Sequence, residues 1–291
     1  MQFGFSMNAF RQHELRDGIT TLADIGYDGV EILLDEPHLF PATATEDDIE
    51  QVRGWLADND IAVCNCNAFM LSAIEPTEES KAAEFSRETE RFHHPSFVEL
   101  AEEDRTERIE HTKNALKTAD KLGADHISIT PGGPVPKQMS ESEAMDYFVE
   151  GVREVTDTAE EVGVNILVEP EPELLIETSD DFLEFVDRID SPRVGCNFDA
   201  GHFYCVDEDP VELIDKLAPY SHHYHLEDIP ADGTHEHTQL GEGGMDINGF
   251  LEAIDASDYD GFVTVELYPY EETVEETAAG AMEYLEANGW V

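Results

Sequence analysis

The stretch VNILVEPEPELLIETSDDFLEFVDRIDSPRVGCNFD, residues 164–199, decides how the rest of the chain is interpreted. It begins with VNILVE (164–169), an apolar run short enough for a buried strand. The segment SDDFLEFVDRI (179–189) has helical periodicity, and a second apolar run, VGCNFD (194–199), ends the stretch. Strands that alternate with amphipathic helices form parallel sheets, because each helix returns the chain to the same edge. The stretch therefore predicts one β-α-β unit.

The same alternation runs along the whole chain and gives eight strand-helix units. The predicted strands are QFGFS (2–6), GVEILL (29–34), IAVCNCN (61–67), HISIT (126–130), VNILVE (164–169), VGCNFD (194–199), SHHYHL (221–226) and FVTVEL (262–267). Eight repeats favour a closed (β/α)8 TIM barrel over an open sheet. Neither a GxGxxG nor a GxxxxGK motif supports an open nucleotide-binding sheet. We expect an α/β fold with a single TIM-barrel domain over residues 1–291. A long loop after strand 3, residues 69–101, is expected to cover the barrel mouth.

The charge of the chain is strongly acidic and evenly spread. There are 67 Asp and Glu residues against 16 Lys and Arg, which gives a formal net charge of −51. Such a surface suits a halophilic protein, because concentrated salt screens the self-repulsion within about 3 Å. The alternative is a generic acidic protein or a chaperone for basic partners, although acidic interaction tails usually form blocks. The charge argues against nucleic acid as a partner, since phosphate binding needs a basic footprint.

The sequence gives no sign of a membrane or an export signal. No apolar run approaches the ~20 residues of a membrane helix, and residues 1–18 lack a basic segment followed by an apolar one. We therefore expect a cytoplasmic protein with no membrane partner. The four cysteines lack the CxxC spacing of a metal site and are expected to be buried free thiols, namely Cys64, Cys66, Cys196 and Cys205.

Four predicted strands in succession carry, at or next to their last residue, a side chain that can bind a metal. They are Glu169, Asp199, His225 and Glu266. The active site of a TIM barrel lies at the carboxyl ends of its strands, and strand alternation allows all four side chains to point inward. Three carboxylates in one closed cavity would repel one another unless a cation neutralised them. The sequence therefore predicts a site for one divalent metal ion, Mn²⁺, Mg²⁺, Co²⁺ or Zn²⁺.

The motifs around these strand ends resemble those of a known superfamily. The segments LVEP (167–170), NFDAGH (197–202), HYHLED (223–228), LGEGGMDI (240–247) and GFVTVEL (261–267) are similar to xylose isomerase-like TIM barrels, the sugar phosphate isomerase/epimerase family. Its members include ketose 3-epimerases, hydroxypyruvate isomerase, inosose dehydratase and apurinic endonuclease. ADIGYDGVEI (23–32) resembles the second strand of the family. The resemblance covers most of the chain and is strongest from residue 164 onward.

The resemblance implies roles for particular residues. Glu169, Asp199, His225 and Glu266 would be the metal ligands, and Glu169 and Glu266 would also be the catalytic pair. In the epimerase-like members the two glutamates exchange a proton on opposite faces of a substrate carbon, through a metal-stabilised enediolate. His202 matches a substrate-contacting histidine.

Three further residues are candidates for substrate binding. Glu31 and Asn67 lie near the ends of the second and third strands and could line the sugar site. They could equally be solvated residues at the ends of these strands. His237 belongs to HEHTQLGEG (235–243), which resembles the segment that carries Asp-x-His in the DNA-repair members. This resemblance makes a trinuclear zinc site an alternative, but two of the histidines that bind zinc in those members are missing from this sequence.

These observations lead to one main functional hypothesis. The chain is expected to be an enzyme, a divalent-metal-dependent sugar or sugar phosphate isomerase or epimerase that moves a proton next to a carbonyl. A dehydratase of a keto-inositol or keto-sugar is the main alternative. An apurinic endonuclease and a non-catalytic sugar-binding barrel are the others. The expected partner is a small sugar or keto-polyol, and the chain could form a homodimer or homotetramer.

Overall fold

A computed structural model describes residues 1–291 and contains a closed barrel of eight parallel strands. The strands are β1 Gln2–Ser6, β2 Gly29–Leu33, β3 Ala62–Asn67, β4 His126–Ile129, β5 Asn165–Val168, β6 Val194–Asp199, β7 Ser221–Leu226 and β8 Phe262–Val265. Each strand pairs with the next one along the chain, and β8 pairs with β1. The predicted (β/α)8 TIM barrel is therefore confirmed.

Helices connect the strands around the outside of the barrel. They are α1 Leu15–Ile25, α2 Glu46–Asn59, α3 Glu78–Lys81, α4 Glu102–Leu122, α5 Glu141–Val162, α6 Ser179–Ile189, α7 Ala200–Cys205, α8 Pro210–Leu217, α9 Ile247–Ala256 and α10 Val274–Ala287. Short 3-10 turns lie at Met7–Phe10, Arg91–His93 and Tyr268–Tyr270. A single core of 68 buried apolar residues joins the strands to the helices. None of these helices is both long and apolar enough to span a membrane.

The lid segment, residues 69–101, joins β3 to α4 and lies over part of the barrel mouth. The fully buried side chain of Arg108 on α4 binds the residue just before the lid and a residue in its last third. Arg108 Nε donates to the carbonyl of Pro95 at 2.7 Å, and Nη1 donates to the carbonyl of Ala68 at 3.2 Å. Two contacts join the lid to the loop after β5: an ion pair of Arg87 with Glu173, and a 3.1 Å contact of His93 with Glu171.

Candidate metal centre

The four residues predicted at the strand ends converge at the mouth of the barrel. Ligand atoms of Glu169, Asp199, His225 and Glu266 all lie within 4.8 Å of one another, and all four side chains are buried. His225 Nδ1 is 3.4 Å from Glu169 Oε2, 3.6 Å from Glu266 Oε2 and 3.8 Å from Asp199 Oδ2. We refer to these four residues as the ligand cluster.

The chain turn after β6 holds Asp199 in place. Asp199 ends the strand and caps α7, because its Oδ1 accepts a 2.7 Å hydrogen bond from the backbone N–H of His202. Its other oxygen, Oδ2, is buried and has no hydrogen-bond partner. The turn needs glycine at position 201, since any side chain there would collide with Glu227. One Asp199 oxygen is thus fixed by the fold while the other stays available for a ligand.

The electrostatics of the ligand cluster call for a cation. Burial raises the pKa of Glu169 to about 7. The carboxylates of Glu266 and Asp199 also raise this pKa, whereas His225 lowers it. Burial opposes a charge on His225, yet Glu31, Glu266 and Glu169 raise the pKa of His225 well above its ordinary value. Three crowded carboxylates, one imidazole and the unpartnered Asp199 Oδ2 form a donor set that fits one divalent metal ion.

The ligand cluster opens into two connected cavities. A small inner cavity of about 30 Å³ contacts Glu169 and Glu266 and is lined by Asn8, Phe69, Met70, Phe92, Glu169, Glu171, His202, His235, Glu266 and Tyr268. An outer chamber of about 580 Å³ shares Phe92, Glu171, His235 and Tyr268 with it. The lid and the loops after β4 and β5 form most of its walls. A chamber of this size suits a small-molecule ligand.

Two of the histidines predicted to bind substrate lie beside the ligand cluster. His202 lines the inner cavity and donates from Nδ1 to the carbonyl of Pro170 at 3.0 Å. His237 donates from Nδ1 to the carbonyl of Glu266 at 2.9 Å, and its buried Nε2 has no partner. His235 lines both cavities, and His202, His235 and His237 form a group whose nitrogens lie within 4.8 Å.

Glu31 and Asn67 occupy different positions from those expected of substrate-binding residues. Both have 0% exposed surface and line neither cavity. Glu31 Oε2 instead accepts a hydrogen bond from His225 Nε2 at 2.9 Å, and Asn67 Nδ2 lies 3.5 Å from Glu31 Oε1. Glu31 pairs in register with Ser6 on β1 and with Asn65 on β3, and both side chains donate hydrogen bonds to its carboxylate.

Several polar residues at the site were not among the site residues predicted from the sequence. Asn8 donates to Glu266 at 2.7 Å, and Asn197 donates a short hydrogen bond to Glu169. Glu227, two residues after His225, is fully buried and accepts from the backbone N–H of Gly201 at 2.5 Å. Burial and the neighbouring Asp199 raise the pKa of Glu227 well above its ordinary value. The strand alternation that places His225 inward also places Glu227 inward, and this signal could have identified it.

The chain matches the family described as the xylose isomerase-like TIM barrel over residues 19–288. It belongs to that family. This xylose isomerase-like barrel is 25% identical over 264 residues to fructoselysine 3-epimerase of Escherichia coli O157:H7, covering 88% of this chain and 85% of that protein. It is 28% identical over 191 residues to inosose isomerase of Bacillus velezensis, covering 62% and 68%. It is also 29% identical over 186 residues to the uncharacterized protein MJ1311 of Methanocaldococcus jannaschii, and the match spans only 62% of that protein.

Solved structures of similar shape support the fold of this xylose isomerase-like barrel. A D-tagatose 3-epimerase-like protein superposes with a TM-score of 0.75 at 22% identity, over 99% of both chains. The IOLI protein with a bound zinc atom superposes with a TM-score of 0.76 at 20% identity, over 100% of this chain and 98% of that one. At these identities the likeness establishes the fold alone.

Proposed function

We propose that this protein is a divalent-metal-dependent sugar isomerase or epimerase. The observation that carries the proposal is the convergence of Glu169, Asp199, His225 and Glu266 within 4.8 Å at the mouth of the barrel. These four residues would hold the metal. A donor set of three carboxylates and one imidazole suits Mn²⁺, Mg²⁺, Co²⁺ or Zn²⁺. Relatives that are themselves epimerases and isomerases of sugars and inososes support the same class of reaction.

The two glutamates of the ligand cluster would move the proton. A divalent cation, when bound, polarises a carbonyl and makes the adjacent C–H proton more acidic. Glu169 would remove that proton from one face of the substrate carbon, and Glu266 would return a proton to the other face. A carboxylate positioned at the substrate carbon can act both as the base that takes this proton and as the acid that returns it. Hydrogen bonds from Asn197 and Asn8 hold the two carboxylates in place.

We infer that the sugar is not phosphorylated. A phosphate needs cationic side chains or free N–H groups at a helix start. The side chains of Ser140 and Thr178 already cap the two helices, α5 and α6, that begin beside the outer chamber. Of the two chamber cations, Arg87 is paired with Glu173 and only Lys137 is left. Six carboxylates line the same chamber, those of Glu88, Glu90, Glu141, Glu171, Glu173 and Glu177.

A deuterium-exchange experiment tests the proposal and separates it from the alternatives. Metal-loaded protein is incubated with a panel of ketoses and keto-polyols in deuterated water, and products are analysed by NMR. Deuterium at carbon without loss of water supports an isomerase or epimerase. Loss of water supports a dehydratase, an activity that relatives named inosose dehydratase make a second candidate. Absence of exchange with every compound would contradict both and favour a sugar-binding barrel.

A further inference from the structure

Glu31 is a buried carboxylate that the proposed chemistry does not use. It lies on β2 with 0% exposed surface. Its Oε1 accepts a 2.6 Å hydrogen bond from Ser6 Oγ, and its Oε2 accepts one of 2.7 Å from Asn65 Nδ2. His225 Nε2 also contacts Oε2, at 2.9 Å. The donors come from three other strands, β1, β3 and β7, and all point at the carboxylate of Glu31. They hold this carboxylate in place, and it only accepts hydrogen bonds.

The contact with Glu31 determines how His225 presents its two ring nitrogens. A carboxylate without a proton can only accept, so His225 Nε2 must carry the hydrogen. In a neutral imidazole the other nitrogen, Nδ1, then has the free lone pair. That nitrogen faces the carboxylates of Glu169, Glu266 and Asp199 at 3.4, 3.6 and 3.8 Å. A lone pair surrounded by three carboxylates is arranged to bind a cation.

We propose that Glu31 is a positioning residue, which holds His225 with Nε2 protonated and Nδ1 directed at the metal. The inference rests on the proposed function, since it requires a metal in the ligand cluster. Glu31 acts only through His225, because it has no exposed surface and lines neither cavity. Carboxylates that bind the far nitrogen of a metal-ligating histidine fix its tautomer and strengthen it as a ligand.

A metal-affinity measurement on two variants tests the inference without any substrate. Glu31→Gln keeps the size of the side chain and removes the charge, and Glu31→Asp keeps the charge but shortens the reach to His225. We expect Mn²⁺, measured by chelator competition, to bind 10–100-fold more weakly to both. If Glu31→Gln does not fold, Glu31→Asp alone provides the comparison. Unchanged affinity in the folded variants would overturn the inference.

Glu99→Gln is a matched control for the same substitution elsewhere in the protein. Glu99 is also buried, and its Oε1 contacts a histidine nitrogen, His94 Nδ1, at 2.7 Å within the lid segment. The control should lose stability and keep its metal affinity. If Glu99→Gln weakens the metal as much as Glu31→Gln does, general destabilisation explains the effect and the inference is wrong.

A spectroscopic readout reports the tautomer of His225 directly. In the metal-loaded wild-type protein labelled with ¹⁵N in histidine, we expect His225 to show a protonated Nε2 and a metal-bound Nδ1. Metal bound through Nε2 would contradict the inference while leaving the proposed function intact. A wild-type protein that binds no divalent metal would instead overturn the proposed function itself, so the two failures are distinguishable.

Discussion

Asn8 Nδ2 donates a 2.7 Å hydrogen bond to Glu266 Oε1, which joins the turn after β1 to the residue that follows β8 at the ligand cluster. The two residues are 258 positions apart in the sequence and meet because β8 pairs with β1. Asn8 lies in the 3-10 turn Met7–Phe10 that follows β1, and it lines the inner cavity. The bond fixes one oxygen of Glu266 and leaves Oε2 facing His225.

Loss of the Asn8 donor should weaken proton transfer at Glu266. We expect Asn8→Ala to lower the rate of deuterium exchange roughly tenfold, because general acid-base catalysis depends on a positioned carboxylate. Mn²⁺ affinity, measured in parallel, should change much less, because all four proposed ligands are retained. An Asn8→Ala protein with wild-type exchange rates would show that this bond has no part in catalysis.

Replacement of either proposed catalytic glutamate should stop turnover. Glu169→Gln and Glu266→Gln each keep the shape of the side chain and remove its ability to accept a proton. We expect at least about a 100-fold loss of exchange in each, with circular dichroism unchanged. Metal content must be measured as well, since both residues are also proposed ligands. Glu242→Gln, on the exposed loop before α9, is the control. Full activity in either variant would rule out the two-glutamate mechanism.

The sequence predicts the ligand cluster because a parallel barrel brings all strand ends to one side. The four ligand-cluster residues lie at or next to the carboxyl ends of β5, β6, β7 and β8, so strand order alone predicts that they are neighbours. The same reasoning cannot give depth within the barrel. Glu31 was one candidate for the sugar site, with a solvated strand end as the equal alternative; in the structure it is fully buried, lines neither cavity and contacts His225.

Asn8 could not be identified from sequence patterns for a related reason. It lies outside a strand, so alternation assigns it no direction. Only barrel closure and the path of the turn after β1 bring it within reach of Glu266. Sequence reasoning cannot predict the cavities either. Their walls come from loops whose shape depends on tertiary contacts, such as those of Arg108 with the carbonyls of Ala68 and Pro95.

Removal of the metal should destabilise the fold measurably. A ligand that binds only the folded state adds about 2.7 kcal/mol to the free energy of unfolding at 100 times its Kd. We therefore expect a chelator to lower the Tm of metal-loaded wild-type protein. Asp199→Asn lacks one proposed ligand, so a chelator should barely change its Tm. A wild-type Tm that is identical with and without chelator would argue against a metal in the ligand cluster.

Salt should stabilise the protein if its acidic surface is a halophilic adaptation. The net charge of −51 implies strong self-repulsion in dilute buffer. Between about 0.1 M and about 1 M KCl the screening length falls from about 10 Å to about 3 Å. We expect the free energy of unfolding, measured with urea, to rise over this range. Sucrose at equal osmolality is the control for excluded-solute effects, and equal stability at both salt concentrations would contradict the halophilic interpretation.

His111 should make the protein less stable in mild acid. It lies on α4, stacks on Phe40 at 5.8 Å, and neither ring nitrogen has a hydrogen-bond partner. Burial, aided by the charge of Arg108, lowers the pKa of His111 from 6.5 to about 3. Below pH 6.5, His111 therefore binds a proton in the unfolded chain but stays neutral in the folded protein. Stability from this group is fully present above pH 6.5 and is lost as the pH falls towards 3.

A neutral replacement of His111 should remove this part of the acid sensitivity. Each pKa unit corresponds to about 1.4 kcal/mol, so His111 accounts for roughly 2 kcal/mol of lost stability between about pH 6.5 and about pH 5. We expect urea unfolding of His111→Leu to show a correspondingly shallower decline than wild type over that interval. Phe40→Leu loosens the same packing without changing a titrating group, so its stability should fall by a similar amount at every pH. Parallel pH profiles for wild type and His111→Leu would show that His111 is protonated as readily in the folded protein as in the unfolded chain.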